Sequence, residues 1–219
     1  MLKKEPCAYC GKVAEDTTKG HVISRSLYPD SLPNIQRITV PECPECKLIW
    51  ERAESSFRNI MIAIWNPEQI EKDNRYEKMM RSFRKSDGHS RFRHFMNCLV
   101  SESSSDGERD LIYPIKDPEF NLILRRIIRG LCHYHKIGTA IADDRVFCHI
   151  MQFQIPESFK FDFCWHEISP GFCCYAYAII NDNNLHSFWL IRFSQHIEFF
   201  ATISVDKSIF LPIQESRVE

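Results

Sequence analysis

Two short motifs, Cys7-Ala8-Tyr9-Cys10 and Cys43-Pro44-Glu45-Cys46, bracket the segment Lys19-Gly20-His21-Val22-Ile23-Ser24-Arg25-Ser26-Leu27 and decide the fold of the N-terminal region. Each pair has the short spacing by which two thiolates reach one tetrahedral ion, and two pairs complete a four-sulfur Zn²⁺ site. Because four thiolates leave no open coordination position, we expect this zinc to stabilise the fold and to take no part in chemistry. The alternative is four unrelated buried thiols. Gly11 after the first pair and Pro41 before the second favour tight metal-binding turns.

Size, charge and cysteine content bound the class of protein. The 219 residues, with 44% hydrophobic content, permit one large domain or a small metal-stapled module followed by a domain with its own core. The formal net charge is -1, so any binding to nucleic acid must depend on a local patch. No apolar stretch of the signal-peptide type precedes the first cysteine pair, and no run of about 18 apolar residues occurs. We therefore expect a cytoplasmic protein with no membrane segment, in which Cys-x-x-Cys pairs bind metal.

The hydrophobic pattern of the first half predicts two strands and two helices. β-Branched residues predict short strands at residues 21–23 and 37–40. Apolar residues at three- and four-residue spacing predict a helix that starts after Cys46 and ends before Pro67. A second helix is predicted from Pro67 to about Lys85, and Gly88 is expected to break the basic and aromatic stretch beyond it. Strands followed by helices make this half an α+β arrangement.

A polar segment divides the chain. Residues 101–108 lack large apolar side chains and predict a linker at 101–110, between a domain at 1–100 and an α+β domain at 111–219. A helix is predicted to start at Asp117-Pro118, with an acidic cap and a proline in the first turn. The apolar stripe of that helix is expected to face the core, and Arg125, Arg126 and Arg129 to lie on its other side. Three aromatic and β-branched runs then predict an antiparallel sheet, at residues 172–180, 185–193 and 197–204.

A local excess of positive charge lies between residues 75 and 93, where Glu77 and Asp87 are the acidic residues. The basic residues of this stretch are Arg75, Lys78, Arg81, Arg84, Lys85, Arg91 and Arg93. Such a field suits contacts to phosphate, although an ordinary solvated helix is the alternative. Aromatic residues are interleaved with the cations and are able to stack on bases, but for the phenylalanines we favour packing against the core.

The order of the N-terminal motifs resembles that of the zinc-stapled form of the HNH endonuclease family. The resemblance covers residues 7–58, where these motifs stand: Cys7-Ala8-Tyr9-Cys10-Gly11, the segment His21 to Leu27, Thr39-Val40-Pro41-Glu42-Cys43-Pro44-Glu45-Cys46 and Glu54-Ser55-Ser56-Phe57-Arg58. It implies a ββα-metal fold stapled by zinc. The fold expected for the whole chain is α+β, with this HNH-like module followed by helices and a C-terminal antiparallel sheet.

The resemblance also implies roles for particular residues. A nuclease of this type needs a general base that activates water and one divalent cation, Mg²⁺ or Mn²⁺, that neutralises the phosphate and the departing oxygen. His21 takes the position of the base. The residue that orients it falls near Gln36, with Asn34 as a substitute. Arg25 and Arg37, beside His21 in the predicted hairpin region, are candidates for contacts to DNA.

The positions of the metal ligands depart from the family pattern. Gly20 stands where an acidic ligand precedes the histidine, and Lys47 stands where an asparagine commonly follows the last cysteine. Glu51 and Glu54, further along the same helix, are candidate oxygen ligands, with Asp16 as another. Glu51 and Lys47 could equally form a solvated pair on one helix face, and Lys47 could contact a phosphate directly.

Two main functions are consistent with these residues. The first is an HNH-family endonuclease that hydrolyses phosphodiester bonds of DNA with a divalent metal, in defence against foreign DNA by family association. The alternative is a catalytically degenerate module that binds nucleic acid or a protein partner without cleaving. A redox-sensing thiol protein is a third possibility. A protein partner, or a second copy of the chain, is expected to bind through the C-terminal half.

Overall fold

The described part of the chain combines helices with three antiparallel sheets in an α+β arrangement. The computed structural model describes residues 5–28, 37–63, 75–98, 100–103, 109–112, 117–150, 164–169, 171–180, 185–193 and 197–204. Among these residues, none of the helices has both the length and the hydrophobicity needed to cross a bilayer.

The N-terminal module consists of two strands followed by a helix. Strand β1 (Thr18–His21) pairs antiparallel with β2 (Thr39–Glu42), and helix α1 (Pro44–Ala63) follows. Pro44 suits the first turn of α1 because its missing N–H would have no partner there. The predicted strand at 21–23 was wrong beyond His21. Residues 22 and 23 both bury their side chains in the core, so the alternation of a half-exposed strand ends there.

Two further helices pack on α1. Helix α2 (Arg75–Phe83) lies within the predicted second helix, whose N-terminal part falls outside the described residues. Helix α3 (Gly88–Cys98) begins at the glycine where we expected a break. The N–H of Gly88 donates to the carbonyl of Lys85 across 2.8 Å, and a Cβ on Gly88 would overlap the backbone of Phe83. This glycine therefore permits a close turn between α2 and α3.

The predicted linker contains a strand pair. Strands β3 (Val100–Ser103) and β4 (Arg109–Ile112) pair antiparallel, with Val100 opposite Ile112. The polar composition misled the prediction because ladder hydrogen bonds come from the main chain, whatever the side chains are. The described residues of the predicted linker, 101–103 and 109–110, thus lie in paired strands.

The C-terminal half supplies one long helix and a five-stranded sheet. Helix α4 (Pro118–Tyr134) starts as predicted, since the Asp117 carboxylate accepts the N–H of Glu119 at 2.8 Å. The sheet strands are β5 (Val146–Ile150), β6 (Cys164–Ser169), β7 (Cys173–Ile179), β8 (Leu185–Phe193) and β9 (Ile197–Ser204). Their order is β5-β9-β8-β7-β6 and every pairing is antiparallel, which confirms the predicted sheet.

One hydrophobic core joins the two predicted domains. The ring of Phe57 on α1 lies 4.6 Å from that of Phe120 on α4 and 6.5 Å from that of Phe193 on β8. Helix α4 is the shared element, because it packs on α1 as well as on β2 and β5. The predicted boundary near residue 100 therefore does not separate two cores.

Two arginines of α4 are buried, contrary to the prediction that they lie away from the core. Arg126 is 3% exposed and Arg129 is 7% exposed, whereas Arg125 is half-buried and bound to Asp143. Burial of a guanidinium is tolerated only where partners satisfy it. Arg126 is bound by groups of the N-terminal module beside His21, and Arg129 by the carbonyl of Tyr9 in that module and by Asp143.

Candidate metal centre and the His21 site

Four cysteines form a compact cluster at the start of the module. The sulfur atoms of Cys7, Cys10, Cys43 and Cys46 all lie within 4.8 Å of one another, and the Sγ atoms of Cys10 and Cys43 are 3.7 Å apart. Four thiolates at zinc–sulfur distances of about 2.3 Å form a tetrahedron with edges of about 3.8 Å. The cluster predicted from the spacing is thus confirmed, and it could hold a metal ion such as zinc.

The loop of the first cysteine pair is shaped to present sulfur. Gly11 adopts a positive φ of 74°, and its N–H donates to the carbonyl of Cys7 at 2.9 Å. The N–H of Cys43 donates to the Sγ atom of Cys7 at 3.5 Å. Burial by itself would raise the pKa of the Cys7 thiol, but N–H donors, that of Cys43 foremost, lower it to about 7. The Cys7 sulfur is therefore prepared to bind a cation as a thiolate.

The same loop is anchored to the rest of the fold by main-chain atoms. The N–H of Ala8 donates to the carbonyl of Pro41 on β2 at 2.8 Å, and the N–H of Ala140 donates to the carbonyl of Ala8 at 2.9 Å. Arg129 on α4 donates to the carbonyl of Tyr9 at 2.6 Å. The cysteine cluster thus positions β2 and the start of α1 relative to α4.

His21 ends β1 with its ring half-buried. Its Nδ1 atom is buried and has no hydrogen-bond partner within the described part of the chain. Burial lowers the pKa of the His21 imidazole, and the positive charges of Arg37, Arg25 and Arg126 lower it further. The ring is therefore neutral at neutral pH and keeps a lone pair that can accept a proton or a hydrogen bond.

The space beside Gly20 is filled by Glu42, a residue that the sequence analysis missed. Gly20 lies opposite Val40 in the β1–β2 ladder, and a Cβ on Gly20 would overlap the Oε2 atom of Glu42. Glu42 is 3% exposed, and Gly20, Val40 and Glu42 share the buried face of the ribbon. A carboxylate of the neighbouring strand thus lies beside Gly20. A signal existed, because residues offset by two across a strand pair are close neighbours.

A buried arginine binds the acidic groups of this site. Arg126 donates from Nη2 to Glu42 Oε1 at 3.2 Å and to the carbonyl of His21 at 3.0 Å, and from Nη1 to Glu54 Oε1 at 2.7 Å. Its guanidinium also lies 5.5 Å from the ring of Tyr9 and 5.8 Å from that of Trp50. Two carboxylates and a carbonyl therefore surround one fixed organic cation.

The candidate ligands on α1 differ in their surroundings. Burial raises the pKa of Glu54 and Arg126 opposes that shift, while Glu54 Oε2 accepts a hydrogen bond from Ser24 at 3.4 Å. Both oxygens of Glu54 are thus engaged. Glu51 and Lys47 are exposed on the same helix. Asn34 and Gln36, the predicted orienting residues, lie outside the described residues, and so do the side chain of Arg75 and the segment between α1 and α2.

The basic residues predicted to contact DNA are placed on two surfaces. Arg25 is exposed in a single 3-10 turn (Arg25–Leu27), and Arg37 lies 5.2 Å above the ring of Tyr28. The helices α2 and α3 carry the others. Arg81, Arg84, Lys85 and Arg93 are exposed, whereas Lys78 and Arg91 are half-buried. In the described ranges, the cysteine cluster is the only group of three or more His, Cys, Asp or Glu side chains close enough to share a metal ion.

Comparison with known proteins gives no match. A scan against protein-family models, a search of the curated proteins and a search of the solved structures each found none. The resemblance to HNH endonucleases therefore stays a prediction that rests on the order of motifs within residues 7–58. The function has to be argued from the geometry of the site.

Proposed function

We propose that this chain is an HNH-like module, stapled by zinc at Cys7, Cys10, Cys43 and Cys46, that binds the phosphodiester backbone of DNA without hydrolysing it. The observation that supports this proposal is the position of Arg126. The carboxylates that could replace the ligand lost at Gly20 are those of Glu42 and Glu54, and both are bound to its guanidinium.

Metal-dependent hydrolysis needs an open divalent cation next to the base. Arg126 neutralises the two nearest carboxylates and is 3% exposed, so it cannot reach a phosphate itself. Alternation along β1 also places the His21 ring and the Glu42 carboxylate on opposite faces of the strand pair. Without the metal a nuclease of this kind loses several kcal/mol of transition-state stabilisation.

The surroundings of His21 suit a phosphate group. Arg25 and Arg37 act on the His21 ring with positive charge, and neither forms an ion pair with another described residue. A neutral imidazole donates from one nitrogen to a phosphate oxygen, and guanidinium groups add charge-assisted contacts. Contacts of this kind fix the register of a protein on nucleic acid without cleavage of the nucleic acid.

A second candidate function, divalent-metal-dependent cleavage of DNA, is favoured by His21 itself. Its buried Nδ1 atom, which has no partner among the described residues, and its lowered pKa are properties of a general base. Glu51 and Asp16, both exposed, are the remaining candidates that no guanidinium binds in the described structure.

One experiment separates the two candidates. Zinc-loaded protein is incubated with supercoiled plasmid in Mg²⁺, Mn²⁺ or EDTA, and binding to a labelled duplex is measured in parallel by fluorescence anisotropy. We expect salt-dependent binding in all three conditions and no nicking. Nicking that requires the divalent ion and disappears in His21→Ala would establish the nuclease and overturn the non-cleaving proposal.

A further inference from the structure

The surface formed by α2 and α3 carries exposed rings as well as cations. Tyr76 on α2 is 51% exposed, and on α3 Phe92 is 41% and Met96 43% exposed. We propose that this surface binds single-stranded nucleic acid by stacking unpaired bases on Tyr76 and Phe92. The inference rests on the proposed function and deepens it, because it names the form of nucleic acid that the module recognises.

The exposed ring of Phe92 is held in place by contact with another ring. Its ring packs edge-on against Phe83, with the centroids 5.2 Å apart and the planes at 72°. Phe83 in turn lies 6.0 Å from Phe95, so the inner rings form the support of the outer one. The expectation that the phenylalanines of this stretch face the core holds for Phe95, which packs against the core, and was wrong for Phe92. Phe83 is half-buried. A ring fixed in this way loses little conformational freedom when a base stacks on it.

Exposed cations of the same helix pair are available for phosphates. Across the described residues, Arg81, Arg84 and Lys85 take part in no ion pair, and all three are exposed at the end of α2 and in the turn to α3. The acid of that turn, Asp87, is bound by Arg91 at 2.6 Å. Positive charge therefore predominates where a sugar–phosphate chain would pass the rings.

A further guanidinium lies on α1, the helix on which α2 and α3 pack. Arg58 lies on α1 one turn after Glu54, and its side chain donates to Ser55 and Asn59. Burial lowers the pKa of the Arg58 guanidinium, and the positive charge of Arg91 on α3 lowers it further. Arg58 therefore adds to the positive charge that α2 and α3 carry.

Other occupants fit the surface less well. In a duplex the faces of the bases are already stacked on each other, so the exposed rings find no free base face on which to stack. A second copy of the chain would bring two positive surfaces together. Three apolar side chains are too few for stable insertion into a membrane surface, which takes an extended apolar helix face. Single-stranded nucleic acid uses both the cations and the rings.

The test is fluorescence anisotropy with zinc-loaded full-length protein and two probes, an oligothymidine and a blunt duplex, each of about 20 nucleotides per strand. We expect the oligothymidine to bind more tightly. The variants Tyr76→Ala and Phe92→Ala should each weaken its binding about five- to hundredfold and leave duplex binding unchanged. The matched control is Leu48→Ala on α1, because Leu48 is 73% exposed and outside the proposed surface. An oligouridine probe shows whether the same surface also accepts RNA.

Two conservative variants separate stacking from loss of fold. Tyr76→Phe keeps a ring and should bind oligothymidine like the wild type, whereas Phe92→Leu keeps the contact with Phe83 and should still lose affinity. Unchanged oligothymidine binding by the alanine variants, equal or tighter binding of the duplex, or self-association abolished by Phe92→Ala would each overturn the inference. Binding of both probes with no effect of the variants contradicts this inference alone. Binding of neither probe contradicts the proposed function as well.

Discussion

Arg126 on α4 donates to Glu54 on α1 across 2.7 Å, and the two residues stand 72 positions apart in the chain. The same guanidinium bonds to Glu42 on β2 and to the carbonyl of His21 on β1. All three elements of the ββα module are therefore connected to one side chain from the C-terminal half. The module and α4 form one folding unit, and the charges of Glu42 and Glu54 are compensated only when α4 is in place.

Removing the Arg126 charge is expected to destabilise the fold strongly. Arg126→Met keeps an apolar stem but leaves the buried carboxylate of Glu42 and the half-buried carboxylate of Glu54 without their partner. Breaking a buried ion pair from one side costs about 3–5 kcal/mol. The free energy of unfolding in urea measures the change. Arg125→Met is the matched control, because Arg125 is a half-buried neighbour paired with Asp143 and its loss should cost about 1 kcal/mol or less. Equal losses in the two variants would show that the buried network has no special weight.

The Arg126→Met protein should also acquire affinity for divalent cations. Carboxylate and carbonyl oxygens are the ligands that Mg²⁺ and Mn²⁺ prefer, and three of them converge on Arg126. A cation at ten times its Kd would stabilise the variant by about 1.4 kcal/mol. Thermal unfolding with and without Mn²⁺ measures this. A midpoint that rises with Mn²⁺ in the wild type as much as in the variant would mean that the cation binds somewhere else.

The sequence was sufficient where the determining interactions are local or carry a fixed spacing. The cysteine cluster follows from two short motifs, and the start of α4 follows from the cap at Asp117 and the proline after it. The C-terminal sheet follows from runs of aromatic and β-branched residues. Each of these signals depends on neighbours within a few positions or on the chemistry of thiolates.

The sequence was insufficient where partners are distant in the chain. By its spacing Arg126 belongs to the polar face of an amphipathic helix. Its burial is explained by the carboxylates of Glu42 and Glu54, which are 84 and 72 positions away in the chain. In the sequence, Gly20 indicates only that a metal ligand is missing. In the structure, the side chain of Glu42 fills the space beside Gly20. The hydrophobic periodicity of the sequence does not predict such pairings, because they arise only when α4 packs on the strand pair.

Loss of metal from the cysteine cluster should unfold the N-terminal module. We expect one zinc per chain in the wild type, and loss of that zinc in Cys46→Ser, because the replacement removes one thiolate of four. Structural zinc contributes about 10–16 kcal/mol in small zinc modules, so a chelator should lower the thermal midpoint markedly. Metal analysis and thermal unfolding measure both effects. Cys174→Ser, at a half-buried position on β7, is the control and should keep its zinc.

The lowered pKa of His21 predicts how stability depends on pH. Because the folded state holds the ring below its ordinary pKa of about 6.5, the unfolded chain binds the proton first as the pH falls. Stability is therefore fully retained above about pH 6.5 and declines as the pH decreases from there to the folded pKa. The pKa values of His133 and His135 are lowered as well, so these residues add to the pH dependence of stability. The contribution of His21 is the part of that dependence that His21→Gln removes. Unfolding in urea at about pH 5 and about pH 7 measures it, with the exposed His89→Gln as the control. If the free energy of unfolding depended on pH equally in the wild type and in His21→Gln, burial, Arg25 and Arg37 would not be what keeps the ring neutral.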